Sequence, residues 1–364
     1  MKILKALRDI LTILFFPSFL AKLFYKPYSF AWVVHSRDMQ DLHNRFPITK
    51  VLPKRAVLSI CKMLWPIIVS DIVGVKDKNG EKRTGCIIGI PLLPDQILGD
   101  KVLAEKKIIQ VLKLAEKIGI KNVVLAGYNS VITNGGETIF KKTSLFLTNS
   151  YAFLAGLAIK TIEKILEFYG KNFDIQFGIV GTTTLPGKIF AKLLVKKGAS
   201  KVVLMGKTVE HLEELKQKCL EINNKANIET TINVWDIKKC DFVIITANNP
   251  TLVVSPRDIK TNAIVFDITQ PVNPSTNKLK LEKDIIVGSG LAVATPGINY
   301  NFDFGLPPEQ AFPCLAEVIL LAKENKKENF GIGEISLSQV DEIVSLAQKY
   351  KFNPVILNKT TTWE

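Results

Sequence analysis

The residue with the clearest potential for covalent chemistry is Cys314, which follows Phe312 and Pro313 at the start of an apolar stretch. Proline suits the first position of a helix because that position has no intrahelical N–H partner to lose. Cys314 would then lie in the first turn, where the helix dipole stabilises a thiolate and lowers the pKa. We therefore predict Cys314 as a catalytic nucleophile, and the alternative is a small buried hydrophobic residue.

A second candidate site is the loop Gly181–Gly187, which follows the apolar, β-branched run Ile175–Val180. The first glycine permits a tight turn, the last permits close packing of helix on strand, and the helix start offers N–H groups to a pyrophosphate. The usual middle glycine is replaced by Thr184, so threonine hydroxyls are expected to donate to phosphate oxygens instead. The predicted cofactor-binding residues of this loop are Gly181, Thr182, Thr183, Thr184 and Gly187.

The loop after the next strand indicates which dinucleotide binds. An NAD enzyme usually has Asp or Glu there to hold the ribose 2′-hydroxyl. This chain has Lys207 and Thr208, which suit a 2′-phosphate, so NADP(H) is the predicted cofactor and a solvated loop lysine is the alternative. Thr246, Ala247 and Asp267, at the ends of later strands, are predicted to border the nicotinamide.

These residues must be positioned by alternating strands and helices. Predicted strands at 175–180, 201–205, 241–246 and 263–267 are interleaved with predicted helices at 185–196 and 209–222. Such βαβ alternation implies a parallel sheet with right-handed crossovers. The predicted fold class is therefore α/β with two domains, the C-terminal one a Rossmann-type doubly wound parallel sheet.

The first half also alternates. Strands are predicted at 29–35, 67–75, 85–91 and 122–126, with Asn79-Gly80 marking a hairpin turn between the second and third. Helices are predicted at 38–45, 101–118 and 149–169. We divide the chain into an apolar and basic segment (1–28), an α/β substrate domain (29–155), an NADP-binding domain (156–310) and C-terminal helices carrying Cys314 (311–364).

Composition narrows the class of protein. The 364 residues are 47% hydrophobic and 23% charged, which is typical of a packed globular protein. The chain has five widely spaced cysteines without a CxxC pair and only three histidines, so we predict neither a metal site nor a disulfide framework. Cysteines of this kind favour a cytoplasmic location.

The charge is lopsided, with 48 Lys+Arg against 34 Asp+Glu. This excess indicates either a solvated basic surface or an anionic partner, and no motif points to nucleic acid. Residues 9–24 are apolar and flanked by basic residues, but Pro17 interrupts a run too short to span a bilayer. We predict either peripheral membrane contact through residues 1–28 or a helix packed on the first domain.

The residues around Cys314 resemble the long-chain acyl-[acyl-carrier-protein] reductases, which form fatty aldehydes, and their bacterial relatives. The family pattern F-x-C-x-A-E is present from Phe312 to Glu317. Further matches lie at residues 30–35, 127–131, 149–151, 302–304 and 329–333.

The resemblance implies NADPH-dependent reduction of a long-chain acyl thioester, carried by an acidic acyl carrier protein or coenzyme A, to an aldehyde. Cys314 would form the acyl-enzyme, and hydride transfer would release the product. Two alternatives remain open: an NADP-dependent alcohol dehydrogenase resembling shikimate dehydrogenase, or a non-catalytic protein that binds an acyl chain or a nucleotide.

Overall fold

The structure, a computed structural model, describes residues 2–247, 254–269, 273, 276–281 and 285–359. The chain folds into two compact units. Unit 1 combines residues 1–150 with 295–333, and unit 2 combines residues 151–294 with 334–364. Residues 295–333, which include Cys314, therefore belong to the first unit. The predicted division instead cuts the chain into consecutive segments. The functions assigned to the predicted segments stay predictions.

Unit 1 is built on a five-stranded sheet in the order β2-β3-β1-β4-β5. Strand β2 is antiparallel to β3, and the other neighbours are parallel. Its strands are β1 (Tyr28–His35), β2 (Ile67–Lys76), β3 (Lys82–Ile90), β4 (Asn122–Leu125) and β5 (Phe146–Thr148), and the residues of this unit also include the short strand β12 (Gln310–Ala311). Its helices are α1 (Lys2–Leu14), α2 (Ser18–Ala21), α3 (Met39–Arg45), α4 (Lys54–Met63), α5 (Pro94–Gly99), α6 (Lys101–Ile118), α7 (Tyr128–Ile132) and α12 (Pro313–Lys323), and 3-10 turns occupy Lys22–Phe24, Pro47–Lys50 and Phe140–Lys142.

The predicted hairpin is confirmed in unit 1. Strands β2 and β3 pair from Lys76↔Lys82 to Ile67↔Gly89, and Gly80 lies in the turn with a φ of +85°. The Asp77 carboxylate fixes this turn by accepting hydrogen bonds from the Asn79 and Glu81 amides and from Arg83. These partners, the Arg83 guanidinium above all, hold the pKa of Asp77 well below its usual range.

Unit 2 is built on a parallel sheet whose path runs β11-β10-β9-β6-β7-β8, with β13 antiparallel to β11 at one side. Its strands are β6 (Gln176–Val180), β7 (Lys201–Met205), β8 (Asn227–Thr231), β9 (Phe242–Ile245), β10 (Ile264–Asp267), β11 (Ile286–Ala294) and β13 (Asn353–Lys359). Its helices are α8 (Tyr151–Phe168), α9 (Leu185–Lys196), α10 (Val209–Ile222), α11 (Thr276–Leu279) and α13 (Leu337–Lys349), and 3-10 turns occupy Val234–Lys239 and Pro256–Asp258.

The strand order identifies the Rossmann arrangement. The chain enters the sheet at β6, moves outward through β7 to β8, and then returns to build β9, β10 and β11 on the other side of β6. This reproduces the doubly wound order 3-2-1-4-5-6. The predicted fold class is therefore confirmed, and the point where the order reverses lies between β6 and β9.

Local sequence signals explain most element boundaries. Helix α6 begins after Asp100, whose carboxylate accepts from the Leu103 amide, and ends before Gly119, which has a φ of +89°. The predicted ranges of α6, α9, α10 and β7 agree with the observed ones. Strands β5, β8, β11, β12 and β13 have no predicted counterpart.

None of the helices in the described part of the chain combines the length and apolar character needed to cross a membrane.

Candidate functional site

The loop after β6 meets the loop after β9 at the carboxyl edge of the sheet in unit 2. Gly181 has a φ of +96°, and a Cβ on it would lie 2.4 Å from the Ala247 Cβ and 3.1 Å from the Thr246 Oγ1. Thr246 is tied back to β6, since both its amide and its hydroxyl donate to the Val180 carbonyl at 2.9 Å. Ligands of doubly wound sheets bind at this switch point, so Gly181, Thr246 and Ala247 lie together where a dinucleotide would bind.

The last glycine of the loop is required by close backbone packing. A Cβ on Gly187 would lie 2.4 Å from the Gly181 carbonyl oxygen and 2.8 Å from the Thr182 Cα. Real Cβ atoms do not approach other atoms this closely, so a larger residue would displace the loop or the first turn of α9. The roles predicted for the two flanking glycines agree with this geometry.

Two of the three threonine hydroxyls are committed within the loop. The Thr182 hydroxyl, which is fully buried, donates to the Met205 carbonyl at 3.0 Å. The Thr184 hydroxyl donates to the Gly181 carbonyl at 2.8 Å and accepts from the Gly187 amide at 3.2 Å, so it caps α9. The expectation that these two hydroxyls donate to phosphate is corrected, because both donate to backbone carbonyls of unit 2 instead.

The backbone of the loop still offers donors. The amides of Gly181, Thr182 and Thr184 donate to carbonyl oxygens within unit 2. Among the described residues, no acceptor is found for the amides of Thr183 and Leu185. Both amides lie at the N-terminus of the 12-residue helix α9, whose dipole end is positive. The loop therefore retains an anion-binding geometry without its middle glycine.

The next loop along the edge carries the predicted basic residue. Lys207 is exposed at the carboxyl end of β7, and the described residues include no ion-pair partner for it. Gly206 packs against Thr183, because a Cβ on Gly206 would lie 2.6 Å from the Thr183 Cγ2. Lys207 therefore directly follows Gly206, the residue that contacts the Gly181–Gly187 loop.

Thr208 directly precedes α10, and its side chain contacts His211, a residue that the sequence analysis did not single out. Its hydroxyl lies 2.8 Å from the Nδ1 of His211, and both side chains are exposed. The sequence signal for this contact is the spacing of three residues at a helix start, which puts two side chains on one face.

A crevice of about 230 Å³ opens beside this loop. Its lining residues are Val209, Leu212, Thr230, Thr231 and Ile232. The lining mixes apolar side chains with the two threonines that end β8, so the crevice suits a flat heteroaromatic group better than an anion.

Asp267, predicted to border the nicotinamide, instead fixes a loop. Its carboxylate accepts from the amide and hydroxyl of Thr269, from the Asn273 amide and from the Thr276 hydroxyl. Asn273 in turn donates to the Ala247 carbonyl at 3.0 Å. Burial raises the pKa of Asp267, and these hydrogen bonds oppose that effect. The structure shows Asp267 as a support for the loop that carries Ala247.

Cys314 lies in the first turn of α12, with Pro313 at the first helical position, as predicted. The predicted direction of its pKa shift is wrong, however. Burial of the sulfur raises the pKa to about 12 and outweighs the smaller lowering effect of the Trp32 indole. The buried Trp32 Nε1 has no well-formed hydrogen bond among the described residues.

Buried polar residues surround this thiol in unit 1. Glu317, one turn along α12 from Cys314, is fully buried and accepts a hydrogen bond from the Thr148 hydroxyl. Its negative charge also raises the pKa of Cys314. A buried carboxylate on an apolar helix is costly unless it is paired, which marks this as a specific polar cluster. Sequence reasoning used Glu317 only as part of a motif.

Two further polar residues follow strands of the sheet in unit 1. His35 ends β1, and burial lowers its pKa. Ser130 follows β4, is 1% exposed, and its hydroxyl has no partner among the described residues. Carboxyl ends of parallel strands share an edge, so these groups are candidates for polar ligand contacts.

A known family model matches part of the second half of the chain. Residues 167–286 match the family model of shikimate / quinate 5-dehydrogenase. The chain is also 25% identical over 288 residues to aminotransferase PigE from Serratia sp. (strain ATCC 39006), an alignment that covers 76% of this chain. The chain spans about a third of the length of this curated relative, since the alignment covers 33% of it.

Two dehydrogenase-related chains are among the solved structures that match. Quinate dehydrogenase from Corynebacterium glutamicum in complex with NAD has a TM-score of 0.36 and 8% identity, covering 87% of this chain and 99% of that one. A shikimate 5-dehydrogenase-like protein has a TM-score of 0.33 and 11% identity, covering 89% and 99%. Similarity at these scores supports no statement about activity.

These comparisons correct the resemblance drawn from the Cys314 motif. The matched model describes shikimate / quinate 5-dehydrogenases, so assignment to the acyl-[acyl-carrier-protein] reductases is wrong, and with it the long-chain acyl thioester, the acyl carrier protein and the fatty aldehyde product. The prediction of an NAD(P) cofactor on a Rossmann sheet is confirmed.

Proposed function

We propose that the chain is an NAD(P)-dependent dehydrogenase of the shikimate/quinate type, which interconverts a secondary alcohol and a ketone on a small polar substrate. The observation that carries this proposal is the βαβ unit of β6, the Gly181–Gly187 loop and α9, which lies within the matched residues 167–286. The nicotinamide, when bound, accepts or supplies the hydride.

Different residues of unit 2 would contact different parts of the dinucleotide. The amides of Thr183 and Leu185 would donate to the pyrophosphate, and the N-terminus of α9 would stabilise its charge. Gly181 and Gly187 keep the backbone close enough for this contact, and Thr246 and Ala247 line the neighbouring loop. Thr182, Thr184 and Asp267 would support the site by holding its loops in place.

NADP(H) is the proposed form of the cofactor. Lys207 places an exposed cation at the end of β7, where an acidic residue would select the 2′-hydroxyl of NAD. The Thr208 hydroxyl and the His211 imidazole add two hydrogen-bonding groups at the start of α10. The adenine ring would occupy the crevice beside Val209 and Thr231.

Titration with NADPH and NADH, followed by nicotinamide fluorescence, tests the cofactor site. Lys207→Ala should weaken NADPH binding by about tenfold to a hundredfold, because it removes one charge-assisted contact, and should leave NADH binding unchanged. Lys201→Ala, an exposed lysine at the opposite end of β7, is the matched control. Equal loss for both cofactors, or no loss for either, would argue against a 2′-phosphate site.

Activity is tested by incubating the protein with NADP⁺ and either quinate or shikimate and following nicotinamide absorbance. A dehydrogenase of this type needs no thiol, so Cys314→Ala should retain turnover. Loss of turnover in this variant would instead support the catalytic role predicted for Cys314. NADPH binding without turnover of any hydroxylated substrate would favour the non-catalytic nucleotide-binding alternative. The predicted contact of residues 1–28 with a membrane concerns a separate part of the chain.

A further inference from the structure

Helix α1 packs on unit 1 through a mixed face that carries Asp9, Thr12 and the buried apolar Ile13. Asp9 and Thr12, both 0% exposed, lie on the inner face. The Asp9 carboxylate accepts from the Ile68 amide and the Tyr25 hydroxyl at 2.8 Å, and Lys117 donates to the Thr12 carbonyl at 2.9 Å. These bonds fix which side of the helix faces the protein.

The opposite side of α1 is an apolar stripe that faces outward. Leu4, Leu7 and Leu14 recur at spacings of three and seven residues, so they share one face, and they are 70%, 50% and 46% exposed. An amphipathic helix that packs on its own domain normally turns its apolar stripe inward. Packing of α1 on unit 1 therefore accounts for the face of Asp9, Thr12 and Ile13 and leaves the outward stripe of leucines unexplained.

The exposed apolar surface continues past Pro17. The Phe16 and Phe24 rings lie 5.5 Å apart, and Arg8 donates to the Phe24 carbonyl, which holds the turn Lys22–Phe24 beside α1. We call the resulting surface the N-terminal face. Its large exposed side chains are Leu4, Leu7, Leu14, Phe15, Phe19, Leu20, Leu23 and Phe24. Scattered exposed apolar residues are ordinary, but eight large ones between residues 4 and 24 form a concentration that is typical of an interaction site.

The charges around the N-terminal face are positive. Lys5, Lys22 and Lys26 are exposed, and Lys26 forms an ion pair with Asp71. The single carboxylate of residues 2–28, Asp9, is buried, so Lys5 and Lys22 carry the positive charge beside the face. A second copy of the chain would bring these lysines against identical lysines, because a two-fold interface joins identical patches. An anionic lipid surface instead offers acyl chains to the leucines and phenylalanines and negative headgroups to the lysines.

We propose that the N-terminal face inserts into the headgroup region of a membrane containing anionic lipid and lies in the plane of that membrane. No helix in the described residues could span a bilayer, so the contact is one-sided. The proposal is independent of the dehydrogenase activity, since none of the residues of the face belongs to the cofactor site.

Flotation of the full chain with vesicles tests the proposal. The protein should float with vesicles of phosphatidylcholine and phosphatidylglycerol, and binding should fall several-fold at high salt or on pure phosphatidylcholine. The triple variant Leu4→Ser, Phe15→Ser and Leu23→Ser should bind at least about tenfold more weakly, because burial of these side chains drives insertion. NADPH binding should be unchanged in this variant, which separates the two proposals.

A matched control replaces three equally exposed apolar residues outside the face, Met63→Ser, Val102→Ser and Leu281→Ser, and should float like the parent. As a second measurement, Phe15→Trp should show fluorescence quenching by lipids brominated on the acyl chain. Absence of flotation with any vesicle overturns the proposal. So does a dimer of the parent chain that the triple variant converts to a monomer without any loss of lipid binding.

Discussion

At the scale of single residues, the glycines of the cofactor loop matter because of backbone packing. Gly187 leaves no room for a side chain, since the Gly181 carbonyl oxygen would lie 2.4 Å from an added Cβ. The same closeness presents the N-terminus of α9 to a ligand. The loop therefore depends on Gly187 even though the middle glycine of the usual motif is absent.

Gly187→Ala is predicted to lower the free energy of unfolding by about 1–3 kcal/mol through overpacking, and to abolish measurable NADPH binding. Urea unfolding and cofactor titration measure the two effects. Gly99→Ala is the control, because a Cβ on Gly99 meets nothing within 4 Å. NADPH binding by Gly187→Ala at parental strength would show that the loop is not the phosphate site.

Cys314 shows how burial can reverse an electrostatic expectation. A position at a helix N-terminus lowers the pKa of a thiol by stabilising its charge. Removal from water acts in the opposite direction, and around Cys314 it prevails.

Alkylation by iodoacetamide at about pH 8 should be about a thousandfold slower at Cys314 than at an unperturbed cysteine, because a pKa of about 12 leaves few thiolates. Because the pKa is higher in the folded protein than in the unfolded chain, the buried thiol contributes stability below about pH 8.5. That contribution is lost as the pH rises towards about 12. Peptide mass spectrometry after labelling measures the rate, and rapid labelling of Cys314 would contradict the burial argument.

At the scale of elements, the capping of α9 explains how the loop keeps its shape. Thr184 accepts from the Gly187 amide and donates to the Gly181 carbonyl, so its one hydroxyl joins the start of the loop to the first turn of the helix. Thr183, by contrast, contributes a free amide and a methyl group that contacts Gly206.

Thr184→Val should lower the free energy of unfolding by about 1 kcal/mol, the usual effect of losing an N-cap. Thr184→Ser, which keeps the hydroxyl, should restore most of this loss. Thr182→Val provides a comparison for a buried hydroxyl outside the helix. Denaturant unfolding monitored by circular dichroism distinguishes them, and equal stability of the Val and Ser variants at position 184 would refute the capping role.

The hairpin of β2 and β3 depends on a backbone conformation that disfavours side chains. Gly80 has a φ of +85° with open space around it, so replacement causes strain without a clash. Gly80→Ala should therefore lower the free energy of unfolding by about 1–2 kcal/mol. Gly80→Asn should lower it less, because asparagine tolerates the left-handed region. Thermal unfolding measures both, and the reverse order would be inconsistent with this explanation.

At the scale of the whole molecule, the two units have separate hydrophobic cores. One core includes residues from Ile13 to Leu147 in unit 1, and the other includes residues from Val180 to Val287 in unit 2. The proposed cofactor contacts all lie in the second unit, so cofactor binding should leave a local signature.

NADPH at about one hundred times its dissociation constant should stabilise the protein by about 2.7 kcal/mol, through preferential binding to the folded state. Hydrogen exchange should show new protection at the Thr183 and Leu185 amides, with that at Gly80 unchanged as an internal reference. Thermal shift and exchange mass spectrometry measure the two effects. Protection confined to unit 1 would refute the assignment of the cofactor site.

The sequence by itself determined the parts of this protein that depend on local interactions. Hydrophobic period and glycine stops located α6, α9, α10 and β7 within a residue of their observed ends. The βαβ alternation predicted the parallel sheet and the position of its phosphate loop. Strands β8, β11 and β13 lacked clear hydrophobic periodicity or turn signals. Their pairing depends on strands far away in the sequence.

Only the tertiary structure decided how polar groups are used. The Thr182 and Thr184 hydroxyls bond to the carbonyls of Met205 and Gly181, and removal of Cys314 from water by the folded unit raises its pKa. Likewise, periodicity indicates an amphipathic α1, but the partners of Asp9 decide that its apolar stripe faces outward. Solvent exclusion and hydrogen-bond pairing are properties of the assembled chain, and local sequence does not encode them.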